Sequence, residues 1–338
     1  MPKKAHRPWT ADDILALART YQGAAVLGAA ADLNVFSAVA SKPLTAAELS
    51  RRLRCRMRGL TILLDALVAL QLLKKSGGRY ELPAGLGTLL TDTGSHTVLA
   101  MAQHQANCLR RWAKLAEVVQ TGRPAERIPS VRGEGGDQEA FIGAMHNVSA
   151  PNAEQVIRAI RPLRFRHLLD IGGASGTWTI AFLRAWPSAQ ATLFDLPPVI
   201  PMARRRLAAA RLQGRGKLVA GDFMRDPLPP GADLAWVSAI VHQNSRVQNR
   251  ALFSKVFRAL VPGGRVAIRD ILMDANRTQP VAGALFAVNM LVATEGGGTF
   301  TFAELQQDLA AAGFTQAAIL RADDAMNSIV VARKPGAT

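Results

Sequence analysis

His167-Leu-Leu-Asp-Ile-Gly-Gly-Ala-Ser-Gly176, followed by Ala191-Thr-Leu-Phe-Asp195, decides how this chain folds. An apolar run closes on Asp170, a turn of small residues follows, and a helical pattern begins after Gly176. A second apolar run ends on Asp195, 25 residues beyond the first acid. The order is strand, glycine turn, helix, strand, with an acid placed to hold a ribose. A dinucleotide site would place its glycines as G-x-G-x-x-G, so that amides at a helix N-terminus hold a pyrophosphate. Gly172, Gly173 and Gly176 are out of register for that pattern. No G-K-S/T follows, which excludes a phosphate-cradling loop. A nucleoside cofactor without phosphate fits better.

Outward from this turn, the chain after Arg164 alternates strand and helix. Strands are expected at 167–171, 191–195, 217–220, 233–239, 264–271, 315–320 and 327–333. The first five would be parallel and the last is expected to insert antiparallel, giving an α/β fold. Upstream, Thr10 and two aspartates open an alanine- and leucine-rich helix over Ala11–Ala31. Thr45 with Glu48 forms a capping box for a second helix, and Met57–Leu70 makes a third. Gly77-Gly78 sits between short extended runs as a hairpin turn does. Helix, helix, hairpin is a winged helix. Its third helix is mostly Ile, Leu, Val and Ala from Leu60 to Leu70, with Thr61 and Asp65 polar. A major-groove reader needs several polar side chains facing bases, so the module reads as structural and dimerising. His96–Gln120 is helical, Thr121–Asp137 is a loop, and Gln138–Ile160 is a further helix or helix pair. The domains expected are a winged-helix module over 10–95, a helical connector over 96–160 contributing to the acceptor pocket, and a Rossmann-like domain over 161–338.

The 338 residues suffice for two domains with sizeable cores. Hydrophobic content of 49% and charged content of 20% indicate a folded soluble protein. Cys55 and Cys108 lie far apart, so neither a disulfide framework nor a zinc site is implied. His104 and Cys108 share a helical spacing, but two ligands do not make a metal site. The first 13 residues carry charge and no apolar core, unlike a secretory signal. The longest uncharged apolar stretch, near Ala282–Ala293, is too short to span a bilayer, and a cytoplasmic protein is expected. The net charge of +16 raises nucleic acid as a partner. Arg51, Arg52, Arg54, Arg56 and Arg58 are the densest cluster, but the other arginines are dispersed and few aromatics accompany them.

Asp195-Leu-Pro-Pro-Val, Gly221-Asp-Phe223 and Pro262-Gly-Gly264 complete the pattern begun at the first turn. Together these motifs resemble the class I S-adenosylmethionine-dependent methyltransferases, and within them the small-molecule O-methyltransferases of the plant caffeic acid and hydroxyindole type. The resemblance extends to the winged module and covers most of the chain. It implies a Rossmann-like sheet behind an N-terminal winged-helix dimerisation domain, with S-adenosylmethionine as cofactor. Gly172 and Gly173 would lie against the methionine part, and Asp195 would accept from both ribose hydroxyls. Leu196 and Ser238 would flank the cofactor. Asp222 would take the adenine amine and Phe223 would cover the ring. His242, in Val237-Ser-Ala-Ile-Val-His-Gln-Asn244, stands where the family carries its general base, and Asp270 where it carries an orienting glutamate. Met145, His146, Asn289 and Met290 would line the acceptor pocket.

Two departures qualify the resemblance. His-Asp-Trp in the family is His242-Gln243-Asn244 here, and a second glutamate is replaced by Thr299. A carbon or nitrogen acceptor is therefore the alternative to a hydroxyl, and His146 is a second candidate base. A winged-helix DNA binder with a ligand-sensing second half is the alternative from another class. A metal-dependent catechol-type enzyme is disfavoured, because no carboxylate cluster of Mg²⁺-like spacing is evident. The apolar Ala11–Ala31 helix implies a homodimer through the N-terminal half.

Overall fold

Two helix starts carry the caps that the sequence predicts. In α1 (Ala11–Arg19) the Thr10 hydroxyl accepts from the Asp13 amide while the Asp13 carboxylate accepts from the Thr10 amide. The same reciprocal box, Thr45 with Glu48, opens α4 (Ala46–Leu53). Ser245 with Gln248 opens a later helix in the same way. The computed structural model describes residues 7–161 and 163–336. It divides into a first unit, residues up to 110 with 127–147, and a second, 111–126 with the chain from 148 onward.

In the first unit the apolar run expected as one helix is two, α1 and α2 (Tyr21–Asp32), parted at Thr20, whose hydroxyl donates to the Leu17 carbonyl. Then follow α3 (Val35–Ala38), β1 (Leu44–Thr45), α4, α5 (Met57–Ala69), β2 (Lys74–Ser76), β3 (Arg79–Glu81) and α6 (Leu86–Leu90). The strands form a small antiparallel sheet in the order β1-β3-β2. Gly77 and Gly78 both take positive φ, as a two-residue hairpin turn requires. Phe36, Leu49, Leu64, Leu67, Leu73 and Tyr80 build the core. Asp65 is held by the wing, accepting from Tyr80 Oη at 2.7 Å and Lys75 Nζ at 2.6 Å.

The expected connector is shared between the units. α7 (Leu99–Trp112) and α8 (Leu115–Thr121) lead to α9 (Gly133–Ala159), which starts five residues before Gln138 and runs through Pro151 as one helix. Among the described residues one helical stretch, Ala11–Asp32, is long and apolar enough to cross a membrane by length and composition. It lies outside the Ala282–Ala293 stretch that the sequence singled out.

The second unit is built on β4 (His167–Ile171), β5 (Gln190–Asp195), β6 (Gly216–Ala220), β7 (Ala232–Ser238) and β8 (Leu260–Asp270), all parallel. A short parallel pair, β9 (Leu272–Met273) with β10 (Phe300–Thr301), stands apart. β11 (Thr315–Arg321) and β12 (Ser328–Arg333) complete the sheet, in the order β11-β12-β8-β7-β4-β5-β6. β12 runs antiparallel to both its neighbours, as expected. The helices are α10 (Thr177–Ala185), α11 (Ile200–Ala209), α12 (Arg246–Ala259), α13 (Val281–Ala293) and α14 (Phe302–Ala311). Alternate strand residues face opposite cores. Leu169, Ile171, Val237 and Ile268 pack with Phe253, Val256 and Leu305, whereas Leu168 and Trp236 pack with Trp178 and Phe182. Strand order reverses at β4, which lies between β5 and β7. The carboxyl ends of these strands therefore frame the crevice where such sheets bind ligands.

Candidate active site

At the end of β4 the chain must turn without side chains. Gly172 has φ +65°, and its amide donates to Phe194 O at 2.8 Å. A Cβ on Gly172 would lie 2.5 Å from Ile240 Cδ1, and one on Gly173 2.6 Å from Leu193 Cγ. Gly176, at φ +77°, passes the chain into α10. The Asp195 carboxylate joins the two strand ends, accepting from Ala174 N and Leu196 N, each at 2.7 Å. Each of its oxygens keeps a further acceptor position, which fits a pair of ribose hydroxyls. Burial raises its pKa against these two bonds. Asp170 lies beneath the turn, and burial pushes it up to about 7 although the Thr179 hydroxyl donates to it at 2.5 Å.

Beyond β6, Gly221 donates to Asp195 O at 2.9 Å, and a Cβ there would strike the Phe194 ring. The carbonyl of Asp222 accepts from Arg225 and Asp226, and its carboxylate accepts from Met224 N at 2.8 Å. Phe223 is half-buried against the sheet core, 3.8 Å from where a Gly172 Cβ would stand. Asp195 and Phe223 thus lie against the glycine turn, with Asp222 next to Phe223 in its loop. An open backbone, a half-satisfied carboxylate and a flanking ring are what a cofactor with ribose and adenine requires.

His242 lies on a 3₁₀ turn, Val241–Gln243, after β7 and is 6% exposed. Its Nδ1 is 2.9 Å from both oxygens of Asp270, at the end of β8 and 3% exposed. A carboxylate can only accept, so Nδ1 carries the proton and Nε2 is left as the basic nitrogen. Phe286 on α13 meets the imidazole edge to face at 4.8 Å. The carbonyl of His242 accepts from Gly298 N at 2.9 Å, and Gly297 passes so close that a Cβ would lie 2.5 Å from that oxygen. Asn244 is buried and donates to Asn249 Oδ1. Thr299 is buried too, its carbonyl accepting from Arg277.

Other expected residues fall elsewhere. Ser238 Oγ accepts from Arg269 at 3.0 Å. The Arg269 guanidinium is buried over Trp178, 4.5 Å from the ring, and burial lowers it to about 10. Its carbonyl accepts from Ala239, whose φ is +56°, so Arg269 grips the turn leading to His242 twice. Leu196 is exposed beside Asp195, and Met290 is buried in α13. Asn289 Oδ1 accepts from Trp112 Nε1 at 2.9 Å. An indole N–H can only donate, which orients the amide with its N–H donors away from Trp112. Met145 and His146 lie on α9 within the first unit, both half-buried. Arg269 and Trp112 were missed by sequence reading. A charge inside Val266-Ala-Ile-Arg-Asp270 was the available signal for the first, and the second had none.

Comparison with known proteins gives the family. Residues 112–315 match the O-methyltransferase domain and residues 15–92 the O-methyltransferase dimerisation domain. The chain is 33% identical over 317 residues to 3-hydroxy-5-methyl-1-naphthoate 3-O-methyltransferase of Streptomyces sahachiroi, covering 91% of each. It is 32% identical to a tetracenomycin polyketide synthesis 8-O-methyl transferase of Streptomyces glaucescens, covering 96% of each. Human N-acetylserotonin methyltransferase in complex with SAM superposes with a TM-score of 0.80 at 27% identity, over 98% of this chain and 100% of that one. An N,N-dimethyltransferase of Streptomyces rimosus, covering 96% of this chain and 97% of that protein, is 28% identical. So is an L-tyrosine C(3)-methyltransferase of Streptomyces lavendulae, covering 88% and 85%. The chain belongs to the O-methyltransferase family. It is an S-adenosyl-L-methionine-dependent methyltransferase carrying an N-terminal dimerisation domain.

Proposed function

We propose that this enzyme methylates a hydroxyl on a small aromatic or polyketide-like acceptor, with His242 as general base and Asp270 as its orienting acid. The observation that carries this is the buried imidazole with Nδ1 2.9 Å from both Asp270 oxygens. Bound S-adenosylmethionine supplies an electrophilic methyl group. A neutral hydroxyl is a poor nucleophile, and Nε2 takes its proton as the new bond forms. The charge gained by the imidazole is met by Asp270, in a setting where water competes little. Holding the reacting atoms in line accounts for much of the remaining rate.

Asp195 would hold the ribose, Gly172 and Gly173 the methionine part, Asp222 and Phe223 the adenine, with Leu196 and Ser238 alongside. Asn289 would present its two N–H donors to an acceptor atom on the substrate, one helical turn from Phe286. Met290 would shape the wall from behind, and Met145 and His146 remain acceptor contacts expected from the resemblance. The naphthoate and tetracenomycin relatives support an aromatic acceptor. A cytoplasmic homodimer is the expected assembly. Ile14, Leu15 and Leu17 on α1, with Trp9 just before it, are exposed apolar side chains, and light scattering at dimer mass checks the assembly.

A second reading, methylation of nitrogen or carbon, is favoured by Thr299, which leaves Asp270 as the acid paired with His242. 3-Hydroxy-1-naphthoic acid and its 3-amino analogue, assayed side by side with product analysis by NMR, separate the two. With the hydroxyl substrate, His242→Ala should lower kcat by about 10²–10⁴ and leave S-adenosylhomocysteine affinity unchanged. An unaltered rate would remove His242 as base.

A further inference from the structure

The loop bearing Asp222 and Phe223 is held by a lysine from the neighbouring helix. Lys255, on α12, donates to Phe223 O at 2.9 Å and to Asp226 O at 3.0 Å. The rest of the loop closes on itself. Asp222 O takes the amides of Arg225 and Asp226, Asp226 Oδ2 takes Asp222 N, and Asp222 Oδ1 takes Met224 N. Phe223 O and Asp226 O take the ammonium. Lys255 borders a cleft of about 180 Å³ with Pro227, Leu228, Pro230 and Arg258. The partners of its ammonium are the Phe223 and Asp226 carbonyls, whose dipoles face its charge.

A lysine held in this way gives up side-chain freedom and part of its hydration. What it gains is a loop ordered before ligand arrives, and preorganisation of that kind raises affinity by lowering the ordering cost of binding. We propose that Lys255 is a positioning residue for the adenine side of the cofactor site, holding Asp222 and Phe223 in their binding geometry through two main-chain carbonyls. The proposal rests on the reading of Asp222 and Phe223 as adenine contacts.

Calorimetry with S-adenosylhomocysteine tests it on the full-length protein. Lys255→Met keeps the stem, removes the donors, and should raise Kd about tenfold, whereas Lys255→Arg should stay within about threefold of wild type. Hydrogen exchange of the free Lys255→Met protein should quicken at amides 222–226 and not along α12. Asp222→Ala is measured beside it. If Asp222→Ala weakens binding and Lys255→Met does not, the role of Lys255 is overturned. If neither weakens binding, the adenine reading of the loop fails with it. Should Lys255→Met not fold, Lys255→Gln is expected to cost about threefold, and wild-type affinity there would equally overturn the proposal.

Discussion

The glycine turn after β4 and the His242 corner after β7 lie on adjacent strands and are built on opposite principles. At the turn the main chain is left open, because a side chain at Gly172 or Gly173 would collide with Ile240 or Leu193; in the proposed reading it is the binding surface. Gly173 has Leu193 Cγ and Asp170 Oδ2 within 3 Å of where a Cβ would go. At the corner the backbone is gripped from outside, by Arg269 and by Gly298, so that one imidazole and one carboxylate can face each other. The first is a steric device and admits little variation. The second is an electrostatic device, held by a 2.9 Å pairing between two buried side chains. Asn244, close to His242 in the chain, and Thr299, next to Gly298, are both buried.

If that contrast is right, the turn should break hardest. Gly173→Val forces a branched side chain into Leu193 and Asp170, where overpacking costs about 1–3 kcal/mol in stability. S-adenosylhomocysteine affinity should fall at least about a hundredfold, since the backbone can no longer approach the ligand. Calorimetry with retained affinity would show that the turn is not the binding surface.

A smaller effect concerns Asp170. Its carboxyl lies at about 7 in the fold, against 3.8 as the ordinary value. The folded protein therefore holds a proton that the unfolded chain has released between these limits. Stability from this group is complete below about pH 4 and is lost as pH rises through about 7. Asp195, also raised by burial, acts in the same direction. Tm should decline from pH 5 to pH 8, and Asp170→Asn should flatten much of that decline, by a few kcal/mol at most. An equal decline in the variant would assign the effect to other groups.

The smallest effect should come from the acceptor side. Trp112→Phe removes the donor that orients Asn289 and keeps the ring. KM for the naphthoic acid should rise about three- to tenfold with kcat and S-adenosylhomocysteine affinity unchanged. A fall in kcat instead would place Trp112 in support of the His242 corner.

Much of the cofactor half was legible because its signals are local. Asp170, Gly172, Gly173 and Asp195 belong to one strand-turn-helix-strand unit whose geometry the backbone dictates. The strands followed from apolar runs, with ends displaced by a residue or two except at β8, which begins at Leu260 rather than Gly264. The helix boundaries were less legible. Ala11–Ala31 reads as one helix, and a hydroxyl at Thr20 returning to Leu17 is a detail that periodicity does not carry. Gln138–Ile160 reads as a helix or a helix pair, and the structure makes it one helix, α9, that runs through Pro151. The corner was half legible. His242 and Asp270 were named by resemblance, but their 2.9 Å pairing spans 28 residues and depends on β7 lying beside β8. Arg269, Lys255 and Trp112 act through partners 31, 32 and 177 residues away. No window along the chain contains such pairs.

By itself, the sequence determined the α/β class, the glycine turn with its two acids, the capped helices of the winged module and the kind of cofactor. Each of these depends on neighbours in the chain, through steric limits on φ and ψ, capping bonds or the period of apolar residues. Only the tertiary structure decided which nitrogen of His242 is free, which way the Asn289 amide points, and that Arg269 and Lys255 hold the segments after β7 and β6. Those facts depend on distance in space between buried polar groups, which chain order does not contain and which packing of the sheet against its helices settles.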